Sequence, residues 1–92
     1  MAEAQFLLSG EKELAASNTA ERLTPESNII TGLLVRATTG NAAVVRIGGS
    51  EVGATSYGIE AGESVQFDIV DVARVYLYGK EKDKVSYIGL HP

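Results

Sequence analysis

Five of the ten glycines lie between Arg46 and Glu63, in the stretch RIGGSEVGATSYGIEAGE. Glycine-rich loops can bind phosphate through their backbone amides, so this stretch could belong to a nucleotide-binding site. A P-loop needs a lysine directly after its last glycine, whereas Ile59 and Glu60 follow Gly58. The segment GGSEVG also lacks the spacing of a dinucleotide fingerprint, and no helical pattern follows it. The glycines therefore predict bends at strand ends and no cofactor site.

The remaining side chains that could do chemistry are one histidine and a few carboxylates. His91 is the only histidine, and the sequence offers no cysteine as a companion ligand or nucleophile. The carboxylates considered for acid–base work are Glu60, Glu63, Asp68 and Asp71. Each falls in a predicted turn or on the wet face of a strand, where a solvated carboxylate has no catalytic partner. The sequence thus predicts no catalytic residue and no metal site.

Tyrosine and arginine side chains indicate a binding surface. In the segment ARVYLYG, Arg74, Tyr76 and Tyr78 alternate with apolar residues, so they would share one face of a strand. Both residue types are enriched in interface hot spots because they combine a large contact area with a polar tip. Simple packing between neighbouring strands would give the same pattern. The sequence leaves these two interpretations open.

The elements that must position these side chains are predicted to be strands. In SVQFDIVD, Val65, Phe67 and Ile69 alternate with polar residues, which predicts one buried and one exposed face. The segments TGLLVRAT, AAVVRIG and ARVYLYG show the same period of two, whereas both faces of the strand predicted in KVSYIGL are partly apolar. Turn signals separate the runs at intervals typical of a sandwich or barrel, and TTGNA at 38–42 predicts a hairpin turn. We expect an all-β fold, a small antiparallel β-sandwich or jelly-roll-like barrel of about seven or eight short strands.

The first thirty residues allow two interpretations. EKELAASNTAERL contains helix formers, but two short strands joined at Ser17-Asn18 are favoured because a sandwich needs partners for its edge strands. The run Phe6-Leu7-Leu8 has no obvious core to fill. We therefore predict a single domain in which residues 1–18 form an amino-terminal arm or first strand and residues 19–92 form the β-sandwich.

Composition excludes several classes of protein. A chain of 92 residues without cysteine has neither disulfides nor a thiolate metal site, and domains of this size often gain burial by forming oligomers. The net charge of −4 argues against a nucleic-acid partner, since such proteins usually carry a basic excess. No apolar segment is long enough to span a bilayer, and the amino terminus lacks a signal-peptide pattern. These features predict a soluble protein made in the cytoplasm, with no membrane partner.

The order of strands and turns between residues 19 and 90 resembles a recurrent pattern in small structural proteins of tailed bacteriophages. The segments that carry the resemblance are GLLVRA, a Gly-Asn turn, RIGGS, AGES, VYLYG and VSYIG. They are strand and turn motifs, and the first eighteen residues fall outside the pattern.

The resemblance implies a non-enzymatic virion protein of sandwich or jelly-roll-like fold, commonly a capsid decoration or cement protein. It implies the major capsid protein as partner and a position on the outer capsid surface after synthesis in the host cytoplasm. A homo-oligomer is expected, with a trimer favoured and a dimer possible. The interface residues expected on this basis are Phe6, Leu7, Leu8, Arg74, Tyr76 and Tyr78.

Two alternative functions are retained. The first is a receptor- or glycan-binding module of a phage head or tail fibre, because Tyr57, Tyr76 or Tyr78 could stack on sugar rings. The second is a small enzyme or inhibitor, which would require a deep pocket around carboxylates with shifted pKa values.

Overall fold

The structure, a computed structural model, describes residues 6–91 except for the side chain of Phe6. It is an antiparallel β-sandwich of two four-stranded sheets, which confirms the predicted all-β fold. The strands are β1 (Phe6–Glu13), β2 (Glu21–Arg22), β3 (Ile29–Ala37), β4 (Val45–Gly48), β5 (Gly58–Ile59), β6 (Ser64–Asp71), β7 (Tyr76–Tyr78) and β8 (Lys84–His91). A single 3-10 turn (Val72–Arg74) lies between β6 and β7, and residues 6–91 contain no α-helix.

Successive strands alternate between the two sheets. Sheet I has the order β1-β8-β3-β6 and sheet II the order β2-β7-β4-β5, so only β4 and β5 follow each other within one sheet. The segment at 38–44 therefore crosses from sheet I to sheet II, and the predicted hairpin turn is wrong. Asn41 fixes this crossing: its side chain donates to the Lys84 carbonyl and accepts from the Lys84 amide, both at 2.8 Å.

The core lies between the sheets and is filled by alternate residues of each strand. In β3, Leu33, Val35 and Ala37 are fully buried whereas Leu34 and Arg36 are exposed, as the period of two predicts. The other buried apolar residues that pack together are Leu14, Leu23, Ile30, Val45, Ile47, Ile59, Val72, Val75, Leu77 and Val85.

The alternation breaks in the middle of sheet I. Gly32 has a φ of 61°, and the pairing of β3 with β8 shifts by one residue between Thr31 and Leu34. Strand β6 keeps a constant register with β3 through this region. The alternation of its inward and outward side chains therefore changes phase at the same point as that of β3. As a result Val70 packs against the core, whereas Ile69 is 65% exposed. The prediction of Ile69 as a buried residue is wrong for this reason.

The amino-terminal segment forms strands and no helix. Strand β1 pairs with β8 along its whole length, and β2 pairs with β7 through two residues. Between them, Leu14 is 1% exposed, and Asn18 adopts a φ of 55° in the turn. The strand alternative was therefore the better prediction, although β1 begins earlier and β2 is shorter than the pattern suggested.

The carboxylate of Glu21 fastens the turn that follows β1. It accepts hydrogen bonds from the amides of Ala15 (2.9 Å) and Ala16 (3.1 Å) and pairs with the Lys12 ammonium at 3.1 Å. Burial by itself would raise the pKa of Glu21, but the two amides and Lys12 outweigh it and hold the pKa below the ordinary value of 4.5. The charged form of Glu21 therefore stabilises the folded state.

We expect Glu21→Gln to lower the free energy of unfolding at pH 7 by about 1 kcal/mol, since it weakens hydrogen bonds to a charged group near the surface. Because the folded-state pKa lies below the unfolded one, this contribution is complete above about pH 4.5 and fades as the pH falls through the folded-state pKa. Urea unfolding at pH 7 and pH 3 measures both values. Glu26→Gln is the control, and an equal loss for Glu21→Gln at both pH values would contradict this interpretation.

Candidate docking face

Exposed apolar side chains gather on the outer face of sheet I. Residues directly opposite each other in antiparallel strands lie on the same face. One row across the sheet runs Leu7, Leu90, Thr31 and Ile69, and the next runs Ser9, Ile88, Leu34 and Gln66. We call the surface formed by Leu7, Leu34, Ile69, Ile88 and Leu90 the docking face.

Four of the five members of the docking face are well exposed, and Leu90 is half-buried. The exposed fractions are 68% for Leu7, 65% for Ile69, 43% for Ile88 and 36% for Leu34. Single exposed apolar residues are common on soluble proteins, but a contiguous group across four strands is typical of a binding surface. A shallow cleft of about 370 Å³ opens beside Leu7 and Ile88 and is also lined by Gly32 and Gly89.

The opposite end of the same sheet is polar. The third row runs Glu11, Ser86, Arg36 and Ser64, and the Lys84 ammonium lies 4.0 Å from the Glu11 carboxylate. The outer face of sheet I is therefore divided into an apolar half and a charged half. This division is typical of an interface with an apolar centre and a polar rim.

The predicted arm residues Phe6, Leu7 and Leu8 belong to strand β1, and Leu7 and Leu8 lie on opposite faces of it. Strand β1 begins at Phe6, whose side chain lies outside the described residues. Leu7 belongs to the docking face, whereas Leu8 points inward and packs against the core. Within residues 6–91 this segment is an edge strand of sheet I.

The predicted tyrosine–arginine group lies on the other side of the sandwich. Tyr76 and Tyr78 flank the buried Leu77 and lie on the outer face of sheet II. Arg74 belongs to the 3-10 turn and so does not continue their strand. The tyrosines instead have arginine neighbours from adjacent strands, since Arg22 pairs with Tyr76 in β2–β7 and Arg46 with Tyr78 in β4–β7.

These two neighbouring arginines are held in place. The Arg22 Nε donates to the Tyr76 hydroxyl at 3.0 Å, and the guanidinium carbon lies 5.8 Å from the centre of the tyrosine ring. The Arg46 Nη1 donates to the Ser56 carbonyl at 2.9 Å. The sequence could not reveal these neighbours, because they come from strands that are far apart along the chain.

The glycine cluster shapes the connection from β4 to β6. A Cβ at Gly58 would lie 2.5 Å from the Val44 side chain and 3.1 Å from the Arg46 guanidinium, so only glycine fits where β5 passes β4. Gly62 has a φ of 87°, which favours glycine. These two glycines thus serve close packing and a turn.

Of the four carboxylates considered for acid–base work, Asp71 accepts the most hydrogen bonds. It accepts from the Ser27 hydroxyl (2.5 Å), the Ala73 amide (3.0 Å) and the Asn28 amide (3.1 Å). The Ser27 hydroxyl and the Ala73 amide hold the pKa of Asp71 below its ordinary value, and the positive charge of Arg74 adds to this. Asp71 is thereby a fixed negative charge that joins the start of β3 to the 3-10 turn.

Within residues 6–91, histidine, aspartate and glutamate side chains form no group of three or more that could hold a metal ion. None of the described segments is a helix with the length and apolar character needed to cross a membrane.

Comparison of the chain with protein-family models, with curated protein sequences and with solved structures finds no match.

Proposed function

We propose that this protein is a non-enzymatic structural protein of a virion, a decoration or cement protein that binds the major capsid protein through the docking face. The observation that carries the proposal is the contiguous apolar surface across all four strands of sheet I. A broad apolar surface with only a shallow cleft and a charged rim suits a protein partner better than a small molecule, which needs a deeper concave site.

The area of the docking face limits the affinity expected of one copy. The whole outer face of sheet I, four strands of about eight residues, measures about 14 Å by 24 Å, or roughly 350 Å², and the docking face is its apolar half. A standard interface buries about 800 Å² on each partner, so a single copy would bind weakly. Repeated sites on a shell and a homo-oligomer of the protein would both raise the apparent affinity through multivalency. Multivalency favours a homo-oligomer, for which we propose a trimer, with a dimer as the alternative.

The capsid is the partner proposed because the order of strands and turns resembles that of phage structural proteins. The acidic surface implied by a net charge of −4 would keep free copies dispersed before they bind. The polar half of the face, with Arg36, Lys84 and Glu11, would lie at the rim of the contact and fix its orientation.

The test is binding of the purified protein to capsid shells assembled without it. At micromolar concentrations we expect it to sediment with the shells at a fixed number of copies per capsomer and to raise the temperature at which they dissociate. Light scattering on the free protein gives the oligomeric state. Failure to sediment with shells at micromolar concentration would contradict the proposal.

A further inference from the structure

A second concave surface opens beside the outer face of sheet II. It encloses about 490 Å³ between β2, the segment before β3, the end of β6, the 3-10 turn, β7 and the loop that follows β4. The polar and aromatic side chains that line it are Arg22, Ser27, Ser50, Asp71, Arg74 and Tyr76. We call it the arginine cleft.

The arginine cleft offers two guanidinium groups with unused donors. The Nε of Arg22 is bound by Tyr76, which aims the side chain and leaves its two terminal amino groups without an acceptor in the described part of the chain. The Arg74 guanidinium makes no hydrogen bond within residues 6–91 and contributes only its charge near Asp71. A planar guanidinium fork is well matched to a carboxylate or a phosphate.

The same cleft offers hydrogen-bond acceptors. Asp71 is a fixed carboxylate whose oxygens accept from Ser27 and the backbone amides of Asn28 and Ala73, and Ser50 also lines the cleft. The negative charge of Asp71 would repel a phosphate dianion more than a carboxylate monoanion. Serine hydroxyls and a carboxylate are also suitable partners for the hydroxyl groups of a sugar.

We propose that the arginine cleft binds the carboxylate of an acidic saccharide. Arg22 and Arg74 receive the carboxylate, Asp71 and Ser50 accept hydrogen bonds from ring hydroxyls, and Tyr76 provides an aromatic wall. The inference goes beyond capsid binding, because Arg22 and Tyr76 of the cleft lie on the outer face of sheet II, whereas the docking face lies on that of sheet I. A copy docked through sheet I would present the cleft to the surrounding medium, where glycans of a host surface could reach it.

The test is a titration of the free, full-length protein followed by amide chemical shifts. The probes are methyl glucuronide, its neutral counterpart methyl glucoside and inorganic phosphate. We expect the glucuronide to shift amides around Arg22, Asp71 and Arg74, with a dissociation constant on the order of 1 mM, the range usual for a single sugar. The neutral sugar and phosphate should bind at least five times more weakly.

Three variants locate the site. Arg22→Gln and Arg74→Gln should each weaken glucuronide binding at least fivefold, and Arg74→Gln removes no hydrogen bond of residues 6–91. Arg36→Gln, on the outer face of sheet I, should have no effect. Absence of shifts at 20 mM glucuronide, equal binding of glucoside or phosphate, or an equal loss in Arg36→Gln would each overturn the inference. Because no capsid is present, none of these outcomes bears on the docking face.

Discussion

Combining Leu7→Lys with Ile69→Lys is expected to lower the affinity for capsid shells by about 100-fold or more. The two side chains are 68% and 65% exposed, so lysine at either position remains solvated in the free protein and the fold should be retained. In the docked state both ammonium groups would be buried against an apolar surface without a partner, which costs several kcal/mol in order-of-magnitude terms. Sedimentation with shells across a concentration series measures the loss.

Tyr57→Lys is the matched control for this pair. Tyr57 is 64% exposed, but it lies in the loop between β4 and β5 and outside the docking face. We expect it to bind shells like the unmodified protein, and all variants should melt within a few degrees of one another. Equal loss of binding in Tyr57→Lys would point to a general effect of added charge. Full binding by the double variant would exclude the proposed face.

Gly89→Ala is expected to reduce the free energy of unfolding by about 2 kcal/mol, in the usual range for an overpacked core. Replacing glycine by alanine in a strand is ordinarily favourable by about 0.5–1 kcal/mol, because the unfolded chain loses freedom. At Gly89, however, a Cβ would lie 2.2 Å from the Ile30 Cγ2 and 3.3 Å from the Leu33 Cα. The clash involves both a core side chain and the backbone of a central strand, so overpacking outweighs the entropic gain. Thermal unfolding should show a fall in Tm of about 8–16 °C.

Gly40→Ala is the control for this prediction, because within residues 6–91 no atom beyond its two chain neighbours lies within 4 Å of a Cβ at that position. Its stability should be unchanged or slightly raised. In a protein that already carries Ile30→Ala, adding Gly89→Ala should lower the free energy of unfolding by less than it does in the unmodified protein. The reason is that Ile30→Ala removes the nearest clashing atom. If Gly89→Ala melted at the temperature of the unmodified protein, the close packing of β8 on β3 described above would be incorrect.

Strand type and most strand faces could be predicted from the sequence, because a period of two requires only local information. The burial of Leu33 and Val35 and the exposure of Leu34 follow directly from it. Leu34 was therefore recognisable as an outward residue, and Ile88 stood on a strand whose two faces were both partly apolar. What no local pattern showed was that these residues become neighbours, which depends on the pairing of β3 with β8.

The features that escaped prediction depend on contacts between distant parts of the chain. Ile69 is turned outward by the shift around Gly32, nearly forty residues earlier in the sequence. Arg22 meets Tyr76 only because β2 pairs with β7, and two residues are too few to display a period. The hairpin expected at 38–42 failed because turn residues favour reversal of the chain but do not specify which sheet the next strand joins.

The most direct test of the proposed docking face is an electron cryomicroscopy map of shells decorated with the protein. We predict that the outer face of sheet I lies against the major capsid protein, with Leu34, Ile69 and Ile88 at the contact. Sheet II, with Tyr76 and the arginine cleft, should face the solvent. A map in which sheet II or the loops at one end of the sandwich contact the shell, while the docking face remains exposed, would contradict the account.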